Sequence, residues 1–292
     1  MAEQQASPVA GTPVEEPPKK ALRAGRNLPA AIAVGVALGA MAIVILLLAP
    51  KGWLAVLAVA MPIATHEVVR RLREAGYAVP VIPLLIGGQA MIWLTWPYGP
   101  AGLLGAYAGT IVVSMVWRLV GRGLRQQPAN YLRDISATVL LATWVPLFAS
   151  FSALLIFQDH GGSRVFAVIV TVVFADIGGY VAGVLFGKHL MVPAISPKKS
   201  WEGLGGSLLF GIAAAVLSVT FLLDKPWWVG VPLGLLLVIT GVLGDLVESQ
   251  IKRDLGIKDM GKLLPGHGGL MDRIDAMLPS AVAGWIVLTL LA

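Results

Sequence analysis

The chain has 292 residues, of which 57% are hydrophobic and only 13% charged, with mean hydropathy +0.80. Soluble domains carry about twice that share of charge, so the composition excludes an ordinary soluble domain and describes a chain built for lipid. Cysteine is absent, which excludes a disulfide framework, thiol catalysis and cysteine-ligated metal; the net charge of +6 is distributed as membrane topology, not nucleic acid, requires.

Residues 1–27, "MAEQQASPVAGTPVEEPPKKALRAGRN", are rich in Pro, Ala and charge without an apolar period, and read as a disordered cytosolic tail. A cleavable signal is not expected, because the apolar run from Leu28 to Pro50 reaches membrane-spanning length. Apolar spans follow at 28–50, 53–69, 79–97, 100–119, 135–157, 165–187, 203–223, 227–247 and 276–292. The expected fold is therefore all-α, a polytopic membrane protein of about nine transmembrane helices. It divides into an N-terminal half (28–165) and a C-terminal half (166–292). No internal repeat supports an inverted-repeat transporter.

Positive charge orients the bundle. With the N-terminus in the cytosol, the tail and the connections after the second, fourth, sixth and eighth spans hold 19 of the 22 Lys and Arg residues. Only Lys51, Arg164 and Lys225 fall on the other side, as the positive-inside rule demands of a multi-pass protein in the cell membrane. Two polar connections then share the cytosolic face: Phe186 to Gly203, and Ser249 to Asp275, whose 27 residues hold five Lys or Arg, four Asp, one His and five Gly.

The acids of these regions have two readings. Asp245 ends the eighth span with Glu248 one turn later, and Asp272 and Asp275 stand three apart, on one face of a helix entering the last span. They are either loop acids paired with Arg253, Lys258 and Arg273, or oxygen ligands suited to Mg²⁺. Asp254 and Asp259 read as solvated loop charge. Asp176 falls midway along the sixth span, where a carboxylate is costly unless paired or wetted. Gly178, Gly179 and Gly183 thin the same helix, so another backbone or a ligand can approach. A polar cavity open to the cytosol is the favoured reading. Ser196, Lys198, Lys199 and Ser200 in "SPKKSWEG" offer a polyphosphate clamp, against the plainer reading of topological charge. "PGHGG" lets backbone approach a phosphate closely, with His267 a turn residue or phosphate donor. No Ser-His-Asp arrangement is visible.

The stretch from Ser249 to Asp275, "SQIKRDLGIKDMGKLLPGHGGLMDRID", resembles the signature of the phosphatidate cytidylyltransferases (CDP-diacylglycerol synthases), with no departure at a fixed position. "DIGGYVAGVLFGKH" and "SPKKSWEG" are similar to that family's upstream motifs, in the same order. The resemblance covers about residues 170–292. It implies CTP and phosphatidate as substrates, a homodimer in the lipid bilayer, and a site in the C-terminal half. Asp245, Asp272 and Asp275 would be metal-binding acids, with Mg²⁺ as the divalent ion and a monovalent companion such as K⁺. Asp176, Gly178, Gly179, Ser196, Lys198, Lys199 and Ser200 would handle nucleotide; Lys252, Arg253, Lys258, His267 and Arg273 lie in the signature. A CTP-dependent lipid or polyprenol kinase, or an anion transporter, would share many of these features.

Overall fold

A computed structural model describes residues 28–121, 129–261, 263 and 268–292. The tail and His267 lie outside the described residues. The helices run in the order α1 (Leu28–Leu48), α2 (Trp53–Glu74), α3 (Val81–Trp93), α4 (Thr95–Val120), α5 (Tyr131–Ala142), α6 (Phe148–Ile156) and α7 (Gly161–Phe186). A two-stranded antiparallel hairpin follows, β1 (Leu190–Val192) and β2 (Ser196–Ser200). The chain ends with α8 (Trp201–Leu222), α9 (Gly230–Asp254), the single turn α10 (Met271–Ile274) and α11 (Met277–Leu291).

Seven described segments have the length and apolarity to cross a bilayer: 50–74, 95–120, 131–156, 161–186, 201–222, 227–254 and 271–291. Of the other two expected spans, the first corresponds to α1, a helix of 21 residues. The third is shortened to α3, whose 13 residues rise about 20 Å against a hydrocarbon core of about 30 Å. The apolar run at 79–97 is divided at Leu94, between the end of α3 and the start of α4, and Gly99, at the expected boundary before the fourth span, adopts φ 54°, ψ −138°. That conformation belongs essentially to glycine. Between α5 and α6, Pro146 has no N–H to offer the preceding turn, and the chain widens into a π turn at Thr143–Leu147. The two helices continue as one rod from Tyr131 to Ile156.

The main core gathers Leu54, Leu57 and Val68 of α2, Leu141 of α5, Leu155 of α6, Val168 of α7, Leu233 and Leu237 of α9 and Leu288 of α11. Outward, α4 exposes Leu104, Val112, Val113, Val116 and Trp117, and α7 exposes Val184, Leu185 and Phe186. Such a surface suits lipid, which wants no polar atoms from the helices it touches.

The most extensive helix pairing joins α7 to α8. Here Gly178 and Gly206 oppose each other so closely that a Cβ on Gly206 would lie 2.4 Å from Gly178 O, and one on Gly178 would lie 2.6 Å from Gly206 O. Lipid gives helices no hydrophobic drive to associate, so backbone-to-backbone contact through small residues supplies the attraction. The seam holds together the helices that carry the polar groups described next.

Candidate functional site

Five carboxylates and two lysines meet where α7, α9, β2 and α10 converge. On α9 the spacings of three and four residues put Asp245, Glu248 and Lys252 along one face. Lys199 of β2 reaches across so that its Nζ lies 2.7 Å from Asp245 Oδ2. The other Asp245 oxygen accepts the Ser249 hydroxyl at 3.2 Å. Asp176 of α7 interacts electrostatically with both Asp245 and Lys199. Asp275, directly after α10, is buried and interacts with Glu248 and Asp245. Glu248 is itself wholly buried and paired with Lys252. Among the described residues its Oε1 has no hydrogen-bond partner. Among the described residues, the ion pairs of this cluster are Lys199 with Asp245 and Lys252 with Glu248 and Asp272.

Asp272 is arranged differently. Its Oδ2 accepts the N–H groups of Gly269 at 2.9 Å, Met260 at 3.0 Å and Gly261 at 3.4 Å, and its Oδ1 takes Lys252 Nζ at 3.0 Å. Both oxygens are occupied by donors. Its work in this arrangement is to gather the glycine-rich segment around α10.

The hairpin sorts the residues of "SPKKS". Neighbouring side chains on a strand point to opposite faces, so Lys199 joins Asp245 while Lys198 is exposed. The two lysines of the expected clamp thus present their side chains to opposite faces of the hairpin. Ser200 is buried, and its Oγ accepts the Gly203 N–H at 3.1 Å, capping α8. Ser196 pairs across the hairpin with Val192. Gly178 and Gly179 face α8, so the approach they permit is that of a helix: Gly179 lies against Ser207 as Gly178 does against Gly206. Arg253 Nε donates to Ile195 O at 3.4 Å, tying the end of α9 to the hairpin. Lys258 and Arg273 are exposed. Asp254, the last residue of α9, is exposed and accepts Gln250 Nε2 at 2.7 Å.

Two residues of α2 enter this region without having been expected there. Glu67 Oε2 accepts the Met271 N–H at 3.0 Å. One turn on, Arg71 donates to Met260 O at 2.9 Å and Asp259 O at 3.3 Å. Glu67 left a signal in the sequence, since an acid inside the apolar run of the second span is costly unless it has a task.

The cluster is open to its surroundings. The Asp245 side chain is 40% exposed and Asp176 is exposed. A recess of about 570 Å³ lies elsewhere, around the end of α1 and the N-terminus of α7, and is lined by no carboxylate. Among the described residues no three acidic or histidine side chains converge tightly enough to hold an ion unaided. Mg²⁺ does not need three, because it characteristically takes one or two carboxylates together with substrate phosphates and water. Asp245 and Asp275, beside the unpartnered Glu248 oxygen, suit that kind of binding.

The model of the Cytidylyltransferase family matches residues 29–291. The chain belongs to this family. The match extends through the N-terminal half as well as the motif-bearing half. A protein named phosphatidate cytidylyltransferase from Mycobacterium tuberculosis (strain ATCC 25618 / H37Rv) is 58% identical over 297 residues, covering 96% of this chain and 90% of that protein. Its namesake from Mycobacterium bovis is 58% identical, covering 96% of this chain and 97% of that protein. The namesake from Mycobacterium leprae is 56% identical, covering 97% and 98%.

Proposed function

We propose that the chain transfers the cytidylyl group of CTP to phosphatidate, giving CDP-diacylglycerol and pyrophosphate, as a multi-pass enzyme of the cell membrane working from the cytosolic face. The observation that carries this reading is the near full-length likeness to phosphatidate cytidylyltransferases, together with an acid cluster faced by lysines. A phosphate oxygen of phosphatidate attacks the α-phosphorus of CTP, the bond from that phosphorus to the bridging oxygen breaks, and pyrophosphate leaves. The nucleophile is already an anion, so no strong general base is required. What the reaction needs is fixed positive charge and alignment.

In this reading Asp245 and Asp275 would hold Mg²⁺, with Glu248 beside them, and a monovalent ion such as K⁺ would accompany it. The divalent ion supplies charge neutralisation and polarisation at the phosphates. Lys199 stands next to Asp245 as a cation for the departing polyphosphate, and Lys252 holds Asp272 and Glu248 in place. Asp272 fixes the loop that presents Asp275. The working unit is a homodimer.

The purified protein, supplied with CTP, phosphatidate and Mg²⁺, should release pyrophosphate and form CDP-diacylglycerol in equal amounts. Release of CDP with phosphorylation of a lipid hydroxyl would replace this reading with a kinase. Solute uptake into vesicles without nucleotide turnover would replace it with a transporter.

A further inference from the structure

The signature segment is gripped from the N-terminal half by one carboxyl group. Glu67 of α2 is buried, and its Oε2 accepts the N–H of Met271, the residue before Asp272. Two glycines make room for it. A Cβ on Gly261 would lie 2.1 Å from Glu67 Oε1, and one on Gly269 would lie 2.5 Å from Glu67 Oε2. Arg71 takes the carbonyls of Met260 and Asp259 on the same helix face, while Asp272 takes the N–H groups of Met260, Gly261 and Gly269 from the other side. The segment is thus held between α2 and the acid that it carries.

We infer that Glu67 is a positioning residue for the reaction. By fixing the Met271 amide it sets where α10 begins, and through α10 where Asp272 and Asp275 sit relative to Asp245. Gly261 and Gly269 are small because the Glu67 carboxyl occupies the space their side chains would take. This assigns the N-terminal half a part in catalysis, although Glu67 touches no reacting atom. The inference rests on the cytidylyltransferase reading only for its kinetic consequence. The contact itself is testable without turnover.

Displacing a catalytic group by about an ångström can cost on the order of 100-fold in rate. Glu67→Ala should therefore lower kcat about 10- to 100-fold while the KM for phosphatidate stays within about twofold, since ground-state binding is not what is lost. Glu67→Gln retains an acceptor oxygen for the Met271 N–H and should keep kcat within about threefold, a loss of under about 1 kcal/mol. Gly261→Ala should impair the parent protein but add little in the Glu67→Ala background, where the space has been vacated. Such non-additivity is the mark of two groups in contact. Hydrogen exchange of the full-length protein supplies a readout independent of activity. The Met271 amide should exchange faster in Glu67→Ala and in Gly261→Ala, with amides of α7 and α8 unchanged, and Arg70→Ala on the exposed side of α2 should alter neither. If no product forms from CTP and phosphatidate in any variant, the exchange pattern still decides the contact and the reaction reading alone fails. Parental kcat in Glu67→Ala, equal losses in the Gln and Ala variants, or equal cost of Gly261→Ala in both backgrounds would each overturn the inference. A general loosening of all helices in Glu67→Ala, with Gly261→Ala lacking any effect at Met271, would overturn it as well.

Discussion

Arg118 and Asp134, clasped between α4 and α5, and the carboxylates gathered where α7, α9 and α10 meet are both charge placed inside an apolar chain, yet they are settled in opposite ways. Asp134 Oδ2 takes two guanidinium nitrogens of Arg118 at 2.7 and 3.0 Å, and the same guanidinium donates to Ala129 O at 2.7 Å. Arg133 reaches the other oxygen, Oδ1, at 3.4 Å, so this acid has a cation at each oxygen and the bonding is turned inward. In the C-terminal half, the ion pairs of Asp245, Glu248 and Asp272 among the described residues are made with Lys199 and Lys252, and among those residues Glu248 Oε1 has no hydrogen bond. A buried pair that is complete holds helices together; on the reading proposed above, the carboxylate group takes its remaining partners from metal and substrate.

Breaking the carboxylate group should cost the most, and should cost it in turnover. Asp275→Asn is expected to lower kcat about 10³- to 10⁴-fold, roughly 4–5.5 kcal/mol in transition-state stabilisation, with thermal unfolding of the protein little changed. Asp272→Asn should resemble it in rate but also lower the unfolding midpoint, because three backbone N–H groups and Lys252 lose a charged acceptor.

The complete pair should behave in the reverse sense. Arg118→Ala leaves the buried Asp134 with only the half-exposed Arg133 among its described ion pairs and should cost about 3 kcal/mol of stability, measured as a lower unfolding midpoint, with kcat per folded molecule unchanged. Arg118→Met combined with Asp134→Leu should recover much of the loss, since a buried pair replaced by apolar groups of similar volume is often neutral.

The lysines sharpen the comparison within the site. Lys199→Ala removes a charge-assisted contact of about 1.5–3 kcal/mol, which corresponds to roughly 10- to 100-fold. The defect should appear in the CTP dependence more than in the phosphatidate dependence. Lys198→Ala, on the exposed face of β2, should show a clearly smaller defect. Equal losses would mean that both lysines act as diffuse charge. The smallest effect is expected from Asp254→Asn. This exposed acid bonded to Gln250 should leave stability within about 0.5 kcal/mol of the parent and initial rates unchanged.

Much of this was legible in the sequence, and the rest was hidden for definite reasons. Apolar length and the placement of lysines and arginines announced a helical membrane bundle, and the resemblance of the motifs pointed to Asp245, Asp272 and Asp275, which the fold brings near one another. Asp176 announced itself by standing inside a span. The hairpin did not, because strands of three and five residues are too short to establish a period. Reading the segment as a loop left Lys198 and Lys199 as equivalent neighbours. The break at Gly99 fell where two spans were expected to meet, but the earlier one at Leu94 was concealed by the apolar run that continues past it. Gly178 and Gly179 signalled a close approach without saying whose, and Asp272 looked like a twin of Asp275 until its backbone donors were seen. Glu67 was the hardest to place, since its partner Met271 lies 204 residues further along; no local pattern reports so distant a contact.

That distance also matters during synthesis. At roughly 5–20 residues per second, roughly 10–40 s of translation separate the emergence of Glu67 from that of the amide it will hold. Throughout that interval α2 carries a carboxyl group meant for the protein interior, with the interior unfinished. The helices between can insert and pack, α2 on α3 and α6 among them, but the Glu67 carboxyl gains the Met271 amide only when that last segment is delivered. A chain that stops short of Met271 therefore keeps a buried acid without the amide it holds in the finished fold.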